Sequence, residues 1–381
     1  VRVWNGGSSI APDNEINGIT LAGVGRGTTV EYCEVALNLD DGFEMFGGTV
    51  DLKYCSAVSV GDDAFDTDAG YQGRGQFLLV VRADDSDKGH EMDSKTNGDL
   101  DSQPRSHPHF ANVTVISSVA HGEDALRLRE GTGGDFRNYI IHGANDGVRN
   151  DDNGSEVVTQ DLAEAAAAGH PDFLYVSGSM VMNGLGGDPW DDFDEATDGT
   201  WTGTYVMESA GLSYTVDANG LPATLDVTPP MNGVAYQDVD TVIEDDFFVQ
   251  TDYKGAFPSN ANWLDGWSYL SDAGILLSAD NNSPAIVADK ITLHGNYPNP
   301  FNPSTEIAFE LGQDYKTVEL TVFNMVGQSV YEVSMKDMVA GFHQVTWNGS
   351  SVDGKLVPSG LYLYRISTET KSVIGKMTLL K

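Results

Sequence analysis

Two cysteines in 381 residues, Cys33 and Cys55, are too few for a disulfide framework. Basic residues are scarce too, with 21 Lys and Arg against 57 Asp and Glu and a net charge of -36. Phosphate contacts need Lys and Arg, so this balance argues against nucleic acid and anionic membrane surfaces as partners. No run of 18 apolar residues occurs, which excludes a membrane-spanning helix. Neither a Gly-rich phosphate loop, a nucleophile elbow nor a zinc-ligand spacing is present. Only one clear helical stretch occurs, Asp161 to Ala168, stopped by Gly169 and Pro171. No signal peptide is visible. The chain opens in mid-pattern on Val1-Arg2-Val3-Trp4, which reads as a processed or truncated chain with its export signal upstream.

What is abundant is glycine, 43 residues, among short alternating runs, and this predicts an all-β, turn-rich chain. Val30-Glu31-Tyr32-Cys33 aligns with Leu52-Lys53-Tyr54-Cys55, and Asp40-Asp41-Gly42-Phe43-Glu44 with Asp62-Asp63-Ala64-Phe65-Asp66. Both pairs are offset by 22 residues, and so are Asp124 and Asp146 further on. A fixed period of this length predicts a β-solenoid with one rung per repeat, specifically a right-handed parallel β-helix. Rungs about 4.8 Å apart would stack Tyr32 on Tyr54 and Cys33 on Cys55. Val35, Phe43, Val50, Ala57 and Phe65 would then fill the coil. The cysteine pair is either a disulfide across rungs or two buried thiols packing as small apolar groups. From Arg74 to Phe110 the period breaks. This interval reads as a strand, Gln76 to Val81, followed by a long surface excursion, Ala83 to His109.

The stretch from Ile10-Ala11-Pro12 through Gly23-Val24-Gly25-Arg26-Gly27-Thr28-Thr29, with Phe46-Gly47-Gly48-Thr49, Tyr71-Gln72-Gly73-Arg74-Gly75 and Glu91-Met92-Asp93, resembles a family of Bacteroidetes-type surface proteins. The resemblance covers about residues 8–155. It implies a surface β-helix, with rungs missing before residue 1, and no particular activity. Tyr253 to Phe257 and Asn262 to Ser268 resemble the segment that closes such proteins, so Trp263 and Trp267 are expected to cap or pack the solenoid end rather than to bind sugar.

The last ninety residues carry the most specific signal. A Pro/Asn-rich lead-in, Leu293 to Thr305, precedes about seven short strands, which predict an immunoglobulin-like β-sandwich. The Tyr297 to Thr305 lead-in, Val322-Phe323-Asn324-Met325-Val326-Gly327, Trp347-Asn348-Gly349, Gly354 to Tyr362 and the ending Gly375-Lys376-Met377-Thr378-Leu379-Leu380-Lys381 closely resemble the type A sorting domain of the type IX secretion system. That resemblance implies export by an outer-membrane machine, a place outside the cell or on its surface, and a flexible link over residues 281–296. It implies no catalytic role for Trp347 or Tyr362. The expected organisation is β-helix rungs over 1–160, an acidic loop-rich continuation and cap over 161–285, and the Ig-like domain over 286–381.

The acidic pairs are the first candidate site. Asp40, Asp41, Asp62, Asp63, Glu123, Asp124 and Asp146 fall at one rung position. Carboxylates about 5 Å apart repel unless a cation intervenes, and calcium takes six to eight oxygens. Structural Ca²⁺ on the solenoid flank is one reading, and solvated turns whose Asp residues accept backbone N–H bonds are the other. Asp191-Asp192-Phe193-Asp194 with Asp198 is a second acidic cluster, without EF-hand spacing. Arg127, Arg129 and Arg149, with Lys88, His90 and Arg105, are either a base beside bound calcium, as in β-helix polysaccharide lyases, or partners of the neighbouring carboxylates. His107-Pro108-His109 offers two nitrogens to a transition metal.

Three functions compete on these residues: a noncatalytic surface or adhesion protein, a calcium-dependent polysaccharide lyase-like enzyme, and a self-assembling extracellular fibre subunit. Their partners would be the export machinery and carbohydrate or further copies of the chain.

Overall fold

The computed structural model describes residues 1–8, 16–94, 99–117, 122–151, 157–161, 173–193, 201, 203–277, 291–311, 315–325, 327–339, 341–368 and 372–380. The helical stretch from Leu162, Asp194 with Asp198, and most of the expected link before residue 291 lie outside the described residues. The chain divides into two units, Val1–Ala279 and Asp280–Lys381. No described helix is long and apolar enough to cross a membrane.

The first unit is the right-handed parallel β-helix expected from the period. One sheet orders Arg2–Trp4, Glu34–Ala36, Asp51–Val58, Arg74–Val81, His109–Ile116 and Gly134–Ala144 side by side, all parallel. A second orders Ile19–Ala22, Phe43–Phe46, Phe65–Asp68, His90–Met92, Leu126–Leu128 and Val148–Asn150, also parallel. Thr29 pairs with Asp51, Phe43 with Phe65, and Leu126 with Val148, so the 22-residue offset is one turn of the coil. Val35, Phe43, Val50, Ala57 and Phe65 are buried in its core, as are Cys33 and Cys55, which are free thiols. Of the two readings of that pair, this one matches the structure.

The first sheet bends at one position per rung. Tyr32, Tyr54, Phe77, Asn112 and Asn138 occupy equivalent places, and all have φ between 51° and 60°. Only glycine and asparagine enter this left-handed region at little cost. The aromatic members are held there by stacking, Tyr54 on Phe77 at 5.0 Å. The amide side chains Gln76 and Asn112 join the next rungs, Nε2 donating to Oδ1 at 3.1 Å.

The expected surface excursion is corrected by the register. Phe65 pairs with His90, 25 positions on, and His90 with Leu126, 36 positions on. Residues 83–93 therefore complete a turn and strand of the coil, and longer connections conceal the rung from the period. Lys88, His90, Arg105 and His107 are buried rather than exposed.

Residues 234–277 lie along the outside of the first sheet instead of over an open end. Leu264, Leu270, Ala256 and Phe257 pack on Ala36, Val58, Leu79, Val81, Ile116 and Ile140. The path runs down the coil to Val249, returns to the Asn138 rung, where Gly255 N donates to Asn138 O at 2.8 Å, and descends again to Tyr269. Asp240 exchanges two 2.9 Å bonds with the Asn138 side chain, Val249 is bonded at 2.7 and 2.8 Å by Gln76, and Tyr269 N donates to Glu34 at 2.7 Å. Trp263 meets Tyr54, and Trp267 meets Tyr32, both edge-on.

The second unit is a sandwich, with seven antiparallel strands among the described residues. Ile291–Tyr297, Thr305–Leu311 and Gly341–Trp347 form one sheet, and Ser329–Met338, Tyr315–Phe323, Gly360–Ser367 and Ser372–Leu379 the other. Trp347 is fully buried between them, its indole donating to Ser350 O at 2.9 Å. The lead-in meets the end of the chain: Phe301 N donates to Thr378 O at 3.0 Å and Asn299 Oδ1 accepts from Thr378 N at 2.9 Å.

Candidate functional site

The outer face of the second sheet carries charge in columns. Side chains alternate across a strand, so positions two apart share a face. One column runs Glu44, Asp66, Glu91, Arg127, Arg149, Asp191, each the register partner of the next. The turn before these strands builds another. Backbone bonds from Gly42 to Asp63, Ala64 to Lys88, Gly89 to Asp124, Ala125 to Asp146 and Gly147 to Asp188 stack Asp41, Asp63, Lys88, Asp124, Asp146 and Asp188. The rung position predicted for the acidic pairs is therefore real. Its missing member is Asp87-Lys88.

Within the turn column, carboxylates hold the next rung in place. Asp41 Oδ1 accepts from Asp63 N at 3.0 Å, Asp63 Oδ1 from Lys88 N at 2.8 Å, and Asp146 Oδ1 from Asp188 N at 2.5 Å. Asp residues set these bends by accepting backbone N–H groups.

Among the described residues, the carboxylates converge only at the lower rungs. Three groups each bring one oxygen per residue to within 4.8 Å of the others: Asp40, Asp41 and Asp62; Asp41, Glu44 and Asp66; Asp62, Asp63 and Asp87. Of the predicted residues, Glu123, Asp124 and Asp146 join no such group among the described residues. Glu44, Asp66 and Asp87 were not foreseen. Glu44 and Asp66 each follow an acidic pair by three residues, on the strand that each turn feeds, and that spacing was the available signal.

Burial raises these carboxyls, and their neighbours add to it. Asp41 is pushed up to about 8 by burial and then by Asp62, and Glu44 to about 7 by burial and then Asp40. Asp62 rises to about 6 through burial and Asp87, while Asp63 and Asp66 are also raised, burial leading in both. Asp124 reaches about 7 through burial, with Arg127 and Arg149 opposing it.

The basic residues are engaged. Burial works against the Lys88 ammonium, but Asp63, Asp87 and Glu91 at 3.7, 2.6 and 3.2 Å hold it charged. Arg127 binds Asp151 at 2.5 Å, Arg129 binds Glu91 and Asp93 at 2.8 Å each, and Arg149 binds Asp151 at 2.9 Å and Asp192 at 2.9 Å. Arg105 bonds Asp101 and Gly131 O. His90 lies inside the coil, and burial lowers its pKa to about 3. The His107 and His109 rings are 4.8 Å apart, and neither belongs to a metal-capable group among the described residues.

Comparison with known proteins agrees with the two units. Residues 1–177 match the pectate-lyase-like β-helix domain, and residues 296–372 match the FlgD Ig-like domain. No curated protein matches the chain. Among solved structures, FlgD of P. aeruginosa is 18% identical over 23% of this chain and 67% of its own, with a TM-score of 0.19. PorZ, an essential bacterial surface component of the type-IX secretion system of Porphyromonas gingivalis, is 22% identical over 26% of this chain and 13% of its own, TM-score 0.19. Dimeric latent PorU of the same organism is 19% identical over 28% of this chain, TM-score 0.22, and the chain spans 10% of its length. The chain is thus similar to a pectate-lyase-like β-helix in its first unit and to an FlgD-type Ig-like domain in its second.

Proposed function

We propose that this chain is a noncatalytic scaffold of the outer cell surface, exported by type IX machinery that reads the C-terminal sandwich. The observation that carries the noncatalytic half is the state of the arginines. Arg127, Arg129 and Arg149 are each bound to carboxylates of their own coil, so none is free to serve as a base. An ion pair of this kind neutralises the charged columns and holds adjacent rungs together.

The export half rests on the motifs of residues 297–381. Two of their pieces meet in the fold: Phe301 of the lead-in is bonded to Thr378 of the last strand and to Leu380 just beyond it. Fusing residues 286–381 to a reporter in a host with type IX secretion tests it. Surface delivery that disappears when residues 375–381 are removed is the expected result. A reporter retained inside the cell in both cases would refute the export reading.

The β-helix match favours a second reading, a calcium-dependent lyase acting on acidic polysaccharide. Incubation of the protein with polygalacturonate and calcium separates the two. Release of unsaturated sugars would establish the lyase, and the scaffold reading expects none. Adhesion to carbohydrate, or assembly of copies into fibres, remains compatible with a scaffold, and electron microscopy of the purified protein distinguishes these.

A further inference from the structure

We propose that Asp41, Glu44 and Asp66 together hold one divalent cation, of the calcium class, between the first two complete rungs of the charged face. The site goes beyond the export and scaffold reading and stands or falls separately from it.

The geometry comes from the coil itself. Glu44 and Asp66 are register partners on adjacent parallel strands, so their side chains leave the sheet side by side. Asp41 lies in the turn feeding the first of those strands. One oxygen from each of the three lies within 4.8 Å of the other two. The second observation is Asp66 Oδ1. It is closed off from solvent and has no hydrogen-bond partner among the described residues. A buried acceptor left in that condition carries its full desolvation cost, and a bound cation removes it.

Charge along the column points the same way. From the third rung upward the chain supplies its own cations: Lys88 against Asp63, Asp87 and Glu91, then Arg129 against Glu91 and Asp93, then Arg127 and Arg149 against Asp151. Asp41, Glu44 and Asp66 make no ion pair with Lys or Arg among the described residues. The charges acting on them most strongly are further carboxylates, Asp40, Asp62, Asp63, Asp68 and Glu91. Three hard oxygen donors without histidine or thiolate suit calcium and not zinc or copper.

Calorimetric titration of the full 381-residue chain with CaCl₂, after EDTA treatment and desalting, tests the proposal alongside Glu44→Gln and Asp66→Asn. One calcium per chain is expected at this site, weakened at least tenfold in either variant. Thermal melts supply an independent sign. Removing one of three repelling carboxylates raises the melting temperature in EDTA, while the same variants melt below the wild type in millimolar calcium. Three results would each overturn the site: no calcium-dependent heat or melting shift, variants that bind calcium as the wild type does, or variants that fail to fold in EDTA, where relief of repulsion should help them.

Discussion

Tyr32 and Tyr54 stack with ring centroids 4.8 Å apart and planes 14° from parallel, one turn of the coil apart. Both hold a left-handed backbone that a tyrosine adopts at a cost, and Tyr54 also stacks on Phe77 and meets Trp263 edge-on. The aromatic column therefore offsets the strain of the corner it occupies. Tyr54→Ala removes both stacks and keeps an unfavourable φ, so it should lower unfolding stability by about 2 kcal/mol. Tyr54→Phe should be close to neutral. Denaturant melts of the two variants check this, and an unchanged midpoint for the alanine would show that the column contributes nothing.

The coil was legible in the sequence wherever rungs have equal length, because a 22-residue turn repeats Tyr-Cys and Asp-Asp in register. It became illegible where connections lengthened. His90 pairs with Phe65 and Leu126 across intervals of 25 and 36 residues, so no period marks it. Polar residues such as Lys88 and Arg105 then read as surface although they are buried. The acidic columns were legible as turn residues. Their partners on the following strand, Glu44 and Asp66, required the register to see which oxygens meet. The covering segment was misplaced for a different reason: its Trp residues signalled packing, but no residue type distinguishes the end of a solenoid from its flank.

His90 fills the place above the stacked Phe43 and Phe65, with Phe110 and Tyr139 at its edges. Burial lowers its pKa to about 3, so it is neutral in the fold and takes a proton near 6.5 once unfolded. A depressed histidine contributes stability that is complete above about pH 6.5 and is lost as pH falls toward 3. Between pH 8 and pH 5 this amounts to about 2 kcal/mol. His90→Phe cannot take that proton, so its stability difference between pH 8 and pH 5 should be smaller than the wild type's by about that amount. The comparison uses the slope because the variant also leaves the Tyr139 hydroxyl without its 3.4 Å partner at Nδ1. Parallel slopes would show that His90 is already protonated or exposed in the folded chain.

Asn112 holds the covering segment to the coil. Its Nδ2 donates to Tyr253 O at 2.8 Å and Thr251 Oγ1 at 3.0 Å, and its Oδ1 accepts from Gln76, which binds Val249 on both sides. Asn112 also sits at φ 55°, where asparagine is tolerated better than other residues with a side chain. Asn112→Ala removes these bonds, leaves the Tyr253 carbonyl only its 2.9 Å bond from the Thr251 hydroxyl and keeps the unfavourable φ, a loss of about 2–4 kcal/mol. Asn112→Gly relieves the backbone and loses only the bonds, so it should fall between the alanine variant and the wild type. Loss of attachment, as distinct from general destabilisation, is read by limited proteolysis. Cleavage in residues 238–253 should accelerate in both variants while the rungs around Leu126 and Val148 stay protected. Uniform cleavage across the unit would mean that the segment and the coil unfold together and that Asn112 stabilises the whole rather than the attachment.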